Sequence, residues 1–287
     1  MQRVAIVSDT TGYLPAELVE RHGIHLVSLY VNWEESSERE AEMPNFDAFY
    51  DRLRQADRLP TTSQPSIGDF IEVYEPLVDQ GLDVVSVHIS GGISGTVESA
   101  RQAKEQLAGR KGIDRVRLID SQRSAGGLGL MALAGARVAQ SGGSVEEVVE
   151  RVETTRADLK MWFAVDTLEY LRRGGRIGPA SAWLGSALKI KPILTLDKEI
   201  TPIERVRTGA KAMRRLLEYM EQLHIDGGDG WVVQHVQAPA EAQQLVEATR
   251  EMTGHDPVFV SEVGPVIGAH VGPGLLGIGG VPLRDLE

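Results

Sequence analysis

Three times within its first 140 residues the chain runs a short β-favouring stretch into a polar turn and then into an apolar repeat of helical spacing. The first unit is Val4 to Val7, the turn Ser8-Asp-Thr-Thr-Gly12, and Leu14, Leu18 and Val19, with Pro15 near the helix start. The second is Val84 to Ile89, then Ser90-Gly-Gly-Ile-Ser-Gly95, then Val97, Ala100, Ala103 and Leu107. The third is Val116 to Ile119, then Asp120 to Gly129, leading into a small-residue helix through Ala139. Repeats of this kind predict a parallel sheet covered by helices, with ligands beyond the carboxyl ends of the strands. Asp9, Ser94 and Ser124 are expected to lie near one another there. In the middle turn, Gly91, Gly92 and Gly95 allow close approach, and Ser90, Ser94 and Thr96 offer hydroxyls at a helix start, so the turn suits a small anion. The same residues also serve as plain caps and turn formers, and the turn alone does not decide between the two.

Between these units, Ile24 to Val31 reads as one strand, Asn32 to Met43 as an acidic surface loop, and Asn45 as the cap of a helix bearing Phe46, Phe49, Tyr50 and Leu53. Leu59 to Ser66 reads as an extended loop stiffened by two prolines, which holds Thr62 and Ser63; Ser66 and Asp69 form a capping pair, and Pro76 should kink or end the helix that follows. Ser144 and Glu147 form a capping box for a further helix.

After that helix the texture changes. Met161 to Asp166 reads as a strand, Thr167 to Arg173 and Ile177 to Leu188 as helices, and Lys189 to Leu196 with Ile200 to Arg207 as an antiparallel hairpin. Helices with apolar residues at Met213, Leu216, Leu217 and Met220, and at Ala242, Leu245 and Val246, flank the strand Trp231 to Val236. The expected fold is α/β with two domains. Residues 1–155 form an N-terminal parallel-sheet α/β domain, and residues 156–287 form a C-terminal α+β domain against which part of 40–80 packs. Near the end, Glu262 to Gly277 carries five glycines and two prolines around His270 and reads as a rigid loop presenting that histidine to a ligand.

Composition narrows the chemistry. A formal charge of −11 disfavours nucleic acid and anionic membrane surfaces, and the absence of cysteine removes thiolate metal sites and fits a reducing compartment. No apolar run approaches the ~18–20 residues of a membrane span, and the apolar run after Met1 is too short for a signal peptide, so the chain reads as cytoplasmic with no integral membrane segment. No phosphate-loop or dinucleotide signature is present, and the seven histidines are too scattered for a metal site. Neither a cofactor nor a metal is expected. Gly92-Ile-Ser-Gly-Thr96 resembles a nucleophile elbow but has threonine where the last glycine belongs. An enzyme using Ser94 as nucleophile and His270 as base on a small anionic substrate stays open as the alternative. Thr62, Ser63, Ser94, His270 and the arginines of Leu171-Arg-Arg-Gly-Gly-Arg176 form a set suited to a carboxylate or phosphate.

Ser8-Asp-Thr-Thr, Thr62-Ser-Gln-Pro-Ser66, Ser94-Gly-Thr with Ser99-Ala100, Asp120-Ser, Leu171-Arg-Arg-Gly-Gly-Arg-Ile177, Leu188-Lys-Ile-Lys-Pro-Ile-Leu194 and Gly264-Pro-Val-Ile-Gly-Ala-His270-Val-Gly-Pro-Gly274 resemble, in order and over nearly the whole chain, the motifs of the DegV family. The resemblance implies a two-domain α/β protein that buries a long-chain fatty acid and offers its carboxylate to a separate ATP-dependent fatty acid kinase, which makes acyl-phosphate for phospholipid synthesis. It implies no catalytic residue in this chain and no cofactor besides the bound acid. By motif position, Thr62 and Ser94 would hydrogen-bond the carboxylate with His270 and Arg173 close by, supported by Ser63, Gly95 and Gly268. Arg172 and Arg176 share the arginine motif. The chain departs from the family pattern at Gly91, Ala269 and Ser124-Ala125, which removes or moves hydroxyls near the head group. A tunnel for the tail is expected among aliphatic residues of the second half. At about 0.8 kcal/mol per buried methylene, a chain of roughly fourteen contributes on the order of 11 kcal/mol before ordering costs.

Overall fold

The computed structural model describes residues 3–112, 114–184 and 190–287. In chain order the first half runs β1 (Val4–Asp9), α1 (Ala16–His22), β2 (Ile24–Val27), β3 (Tyr30–Trp33), β4 (Ser36–Arg39), α2 (Asp47–Gln55), β5 (Thr61–Ser63), α3 (Ile67–Asp79), β6 (Asp83–His88), α4 (Thr96–Lys111), β7 (Val116–Asp120), α5 (Ala125–Gln140) and α6 (Val145–Asp158). The second half runs β8 (Lys160–Ala164), α7 (Glu169–Arg173), β9 (Lys191–Asp197), β10 (Glu199–Val206), α8 (Gly209–Ile225), β11 (Gly230–His235), α9 (Pro239–Thr253), β12 (Phe259–Glu262), α10 (Pro265–Val271) and β13 (Leu276–Val281).

The strands of the three βα units, with β2 at one edge, build a parallel sheet in the order β2-β1-β6-β7, and the second half builds a mixed sheet in the order β10-β9-β8-β13-β11-β12. The two sheets stack through α5. Its side chains are buried nearly all round, with Ile6, Val85 and Val87 of the parallel sheet on one side and Val232, Phe259 and Val281 of the mixed sheet on the other. A helix so enclosed must be narrow, which is why it reads Ala-Gly-Gly-Leu-Gly-Leu-Met-Ala-Leu-Ala-Gly-Ala. On the outer face of the parallel sheet Phe70, Tyr74 and Leu77 of α3 pack with Ala100, Ala103 and Leu107 of α4. On the outer face of the mixed sheet Leu216 and Met220 of α8 pack with Leu245 and Val246 of α9. The result is a five-layer stack in which helices alternate with sheets.

A third sheet, β4-β3-β5, is antiparallel and belongs to neither stack. The expected single strand from Ile24 to Val31 is in fact two. β2 pairs with β1 (Ile6 opposite Ile24), and after Ser28 and Leu29 the chain leaves that sheet to pair Val31 with Thr62. An apolar run marks burial and cannot show where the chain changes sheet. The expected acidic loop after Asn32 holds a hairpin strand, β4, and the expected extended loop around Thr62 holds β5, so backbone pairing fixes both. Asn45 does not cap α2; Phe46 occupies that position without a side-chain cap. Pro76 does not end α3, which runs on to Asp79, and the carbonyl it leaves unpaired is that of Glu72, an exposed residue in the middle of the helix. The helix expected over Ile177 to Leu188 is a 3-10 segment, Gly178–Trp183, and the part of that expectation from residue 185 onward, with Lys189 of the hairpin, lies outside the described residues.

The β9–β10 hairpin ties the two stacks together. Its turn residue Lys198 donates its backbone N–H to the Gln122 carbonyl at 2.9 Å and accepts the Ser90 hydroxyl at 2.6 Å. A Cβ on Gly92 would sit 2.2 Å from the Lys198 carbonyl oxygen. The glycine turn that the sequence offers to an anion therefore seats a neighbouring backbone at Gly92.

Candidate functional site

Between the floor of the mixed sheet and the roof formed by α10 and the β6–α4 turn lies a narrow hollow that opens to solvent at its mouth. Its floor includes Met161 and Phe163 of β8, Leu196 of β9 and Ile200 of β10; its roof includes Ile93 and Ile267. The lining is therefore shared. The second half supplies most of the apolar wall, as expected, and Leu29, Ile89 and Ile93 of the first half complete it.

One corner is polar. Thr62 reaches it from β5, Ser94 from the β6–α4 turn, His270 from α10, and Arg176 from the segment after α7. Residues 208 apart in sequence meet here: Thr62 Oγ1 lies 2.7 Å from His270 Nε2. Burial, with the guanidinium of Arg176 nearby, pushes the His270 imidazole down to about 4, so it is neutral near pH 7. His270 Nδ1 is buried without a partner among the described residues. An orphaned lone pair costs less than an orphaned N–H, which favours the tautomer in which Nε2–H donates to Thr62. The Thr62 hydroxyl proton is then free for the hollow.

Arg176 spends Nε on the Ile93 carbonyl at 3.2 Å and Nη1 on the Gly174 carbonyl at 2.8 Å. Among the described residues it has no carboxylate partner, although the Thr62–His270 pair stands beside it in the same hollow. A cation facing a largely apolar cavity with only carbonyls for company is arranged for an anion. Arg173 does not line the hollow. It donates to the Asp57 carbonyl at 2.8 Å and borders an outer depression on the far side of Thr62, Arg176 and His270, which line both spaces. Arg172 pairs with Glu169 at 2.5 Å.

Ser63 and Gly95 line the hollow, and Ser63 accepts a hydrogen bond from Asn32 Nδ2 at 3.2 Å. Gly268 does not line it. A Cβ there would fall 2.2 Å from the Tyr50 hydroxyl, so this glycine lets α10 press against α2. The segment expected as a glycine loop around His270 is thus the helix α10 followed by a turn with left-handed glycines at Gly272 and Gly274. Val266, Ile267, His270 and Val271 share the helix face that walls the hollow.

Ser94 Oγ bonds to Thr96 Oγ1 at 2.8 Å and accepts from the Thr96 backbone at 3.3 Å, with no bond to His270. Ser124 lines the hollow together with Arg123, which pairs with Asp197 at 2.6 Å. Asp9, expected near Ser94 and Ser124, is sealed in the core. Its carboxylate accepts from the backbone and hydroxyl of Thr11, from His88 Nδ1 and from the Ile89 backbone. It braces the strand end that carries Ile89 and does not reach the hollow. Residues 63–64 and 93–95 frame the polar corner on the first-half side; Gln64, missed in the sequence, was hidden between two prolines with only its polarity as a signal. Among the described residues no cluster of acids and histidines could hold a metal ion, and no helix is long and apolar enough to cross a membrane.

The architecture and the site define an α/β protein of two stacked sheets and a small third one, with an apolar hollow closed at one corner by hydroxyls, a neutral histidine and an arginine. The model of the family described as "Uncharacterised protein, DegV family" matches residues 3–283, and the chain belongs to the DegV family. A DegV domain-containing protein of Streptomyces coelicolor is 42% identical over 284 residues, covering 96% of this chain and 98% of its own. The crystal structure of DegV from Bacillus subtilis, described as a fatty acid binding protein, superposes with a TM-score of 0.86 at 36% identity, covering 97% of this chain and 99% of its own. A Thermus thermophilus DegV family protein, whose structure is described as showing fatty acid binding, superposes with a TM-score of 0.86 at 34% identity, covering 98% and 99%.

Proposed function

We propose that this chain binds a long-chain fatty acid, lays the tail along the hollow between Ile93, Phe163, Leu196 and Ile267, and holds the carboxylate at Thr62, Ser94 and Arg176, with His270 turning the Thr62 hydroxyl proton toward it. The observation that carries this reading is Arg176, a cation with no carboxylate partner among the described residues, set beside the Thr62–His270 pair at the polar end of a largely apolar space. The likeness to proteins described as fatty acid binding supports the same ligand. Arg173 stands one step outside, and in this reading it meets the head group only from the outer depression.

The second part of the proposal is that the chain is the non-catalytic partner of a separate ATP-dependent kinase. Its support is the shared wall: Thr62, Arg176 and His270 border both the hollow and the outer depression, so a carboxylate held by them is reachable from outside while its tail stays covered. Native mass spectrometry of the purified protein, with lipid extraction, tests the first part. Co-purified fatty acid at one per chain is expected, and an empty protein that takes up no added palmitate would defeat it. Acyl-phosphate formed only when a kinase and ATP are added tests the second. Acyl-phosphate formed by this chain with ATP alone would overturn it.

A further inference from the structure

Glu40 lies in the turn after β4 and is buried, 3% exposed, although no basic group pairs with it among the described residues. Its Oε1 accepts the backbone N–H of Val266 at 2.8 Å and the hydroxyl proton of Tyr13 at 3.1 Å. The Tyr13 oxygen in turn accepts the backbone N–H of Ile267 at 3.1 Å. Because α10 begins with Pro265, which has no N–H, these are the first two amide protons the helix has to place, and both end on the Glu40–Tyr13 pair. Gly264 is pressed into the same pair, since a Cβ there would lie 2.7 Å from Glu40 Oε1 and from the Tyr13 ring. The same helix walls the hollow with Val266, Ile267, His270 and Val271.

We propose that Glu40 is a positioning residue for the acyl site: its carboxylate, with Tyr13, fixes the first turn of α10, so that the charge on a group that never touches the ligand sets how firmly the acid is kept. The inference rests on the fatty acid reading above. A charged acceptor makes hydrogen bonds about twice as strong as a neutral one, so protonation loosens the hold on Val266 and Tyr13 without removing either acceptor. The groups facing Glu40 are Asp9 at the end of β1, Tyr13, and Tyr50 on α2, with Glu262 of β12 lining the same outer cleft. Burial, with a smaller contribution from Asp9, pushes the Glu40 carboxyl up to about 7, while burial and the Glu40 charge hold Tyr13 protonated. His270 titrates at about 4, below the window in which Glu40 changes charge.

The test is the rate at which bound cis-parinaric acid, a fluorescent polyene fatty acid, leaves the full chain for excess acceptor vesicles between pH 5.5 and 8.5. In the unmodified protein the rate should rise several-fold on acidification, with its midpoint near pH 7; in Glu40→Gln it should be fast and flat. Tyr13→Phe removes a donor that favours the charged carboxylate, so its midpoint should move upward; this variant keeps the question open to test should Glu40→Gln fail to fold. A Glu40→Gln protein with the unmodified pH profile overturns the proposal and leaves the lipid reading intact. A protein that takes up no parinaric acid at any pH instead defeats the lipid reading. Thermal melts separate positioning from mere stability, since Glu40→Gln removes a buried charge and should melt no lower than the unmodified protein at pH 8.

Discussion

Two histidines, 182 positions apart, sit in opposite settings, His88 fully buried and His270 half-buried. His88, at the end of β6, has both nitrogens occupied: Nε2 meets Ser86 Oγ at 2.6 Å, which meets the Tyr74 hydroxyl at 2.7 Å, and Nδ1 meets Asp9 at 3.0 Å. His270, on α10, also meets a hydroxyl through Nε2, but its Nδ1 has no partner and its ring faces the hollow. The serine, histidine and aspartate of the first region have the connectivity of a hydrolytic triad, yet all three are 0–1% exposed and line no part of the hollow. The second region has the access and lacks the carboxylate, and its Ser94 is bonded to Thr96. Nucleophilic catalysis needs a serine, a base and an orienting acid in one accessible place. The molecule separates these properties, and in the proposed function the accessible histidine serves the head group while the complete network braces the fold.

That division can be broken by experiment. The largest effect is expected for Asp9→Ala, which strips four hydrogen bonds from a sealed network. It should cost about 3–5 kcal/mol in urea denaturation, while the protein that remains folded keeps its acid. His270→Ala should do the reverse and weaken palmitate binding by roughly three- to tenfold, the ~1 kcal/mol of the neutral hydrogen bond that aims the Thr62 hydroxyl, with a smaller loss of stability than Asp9→Ala. If Asp9→Ala abolished binding in folded protein while His270→Ala left it intact, the assignment of roles would be wrong.

Acid stability sharpens the contrast. The His270 imidazole, ordinarily near 6.5, is lowered to about 4 in the folded protein. The unfolded chain therefore binds the proton first, and stability falls as pH drops through that window, by on the order of 3 kcal/mol when complete. Glu40 has the opposite sign. Its carboxyl rises from 4.5 to about 7, so the folded chain binds the proton first and stability increases as pH drops through its window, by a similar amount. These two contributions should nearly cancel between pH 6.5 and 4.5, and Glu40→Gln should expose the His270 loss as a downward slope in denaturation midpoints. A flat profile in that variant would mean His270 is not held neutral. The smallest effect is expected for Ser94→Ala, about 1 kcal/mol or less in acid affinity by isothermal titration, because its hydroxyl is already shared with Thr96.

The parallel sheet was legible because β1 and β6 are buried along most of their length and, like β7, each is a β-favouring run followed by a turn and a helical repeat. The capping boxes at Ser66 and Ser144 were legible too, since each is a local arrangement spanning four residues. Where interactions are not local, the reading failed. Nothing around Ser28 announces that the chain changes sheets, and the glycines before His270, which suggested a loop, instead allow a helix to lie against Tyr50. Sequence spacing also could not choose among Arg172, Arg173 and Arg176, because the choice depends on the direction each side chain takes from α7 and the turn after it.

Residue order alone was enough to set which segments of the first half repeat as strand, turn and helix, and which polar residues stand in turn-forming segments. Periodicity and side-chain chemistry are written residue by residue and survive without a fold. Only the folded arrangement decided that Thr62 and His270 touch, that Lys198 occupies the glycine turn, that Asp9 is sealed away and that Glu40 holds the far end of α10. Each of those is a contact between residues distant in the chain, and such contacts exist only once the sheets have stacked and excluded the alternatives.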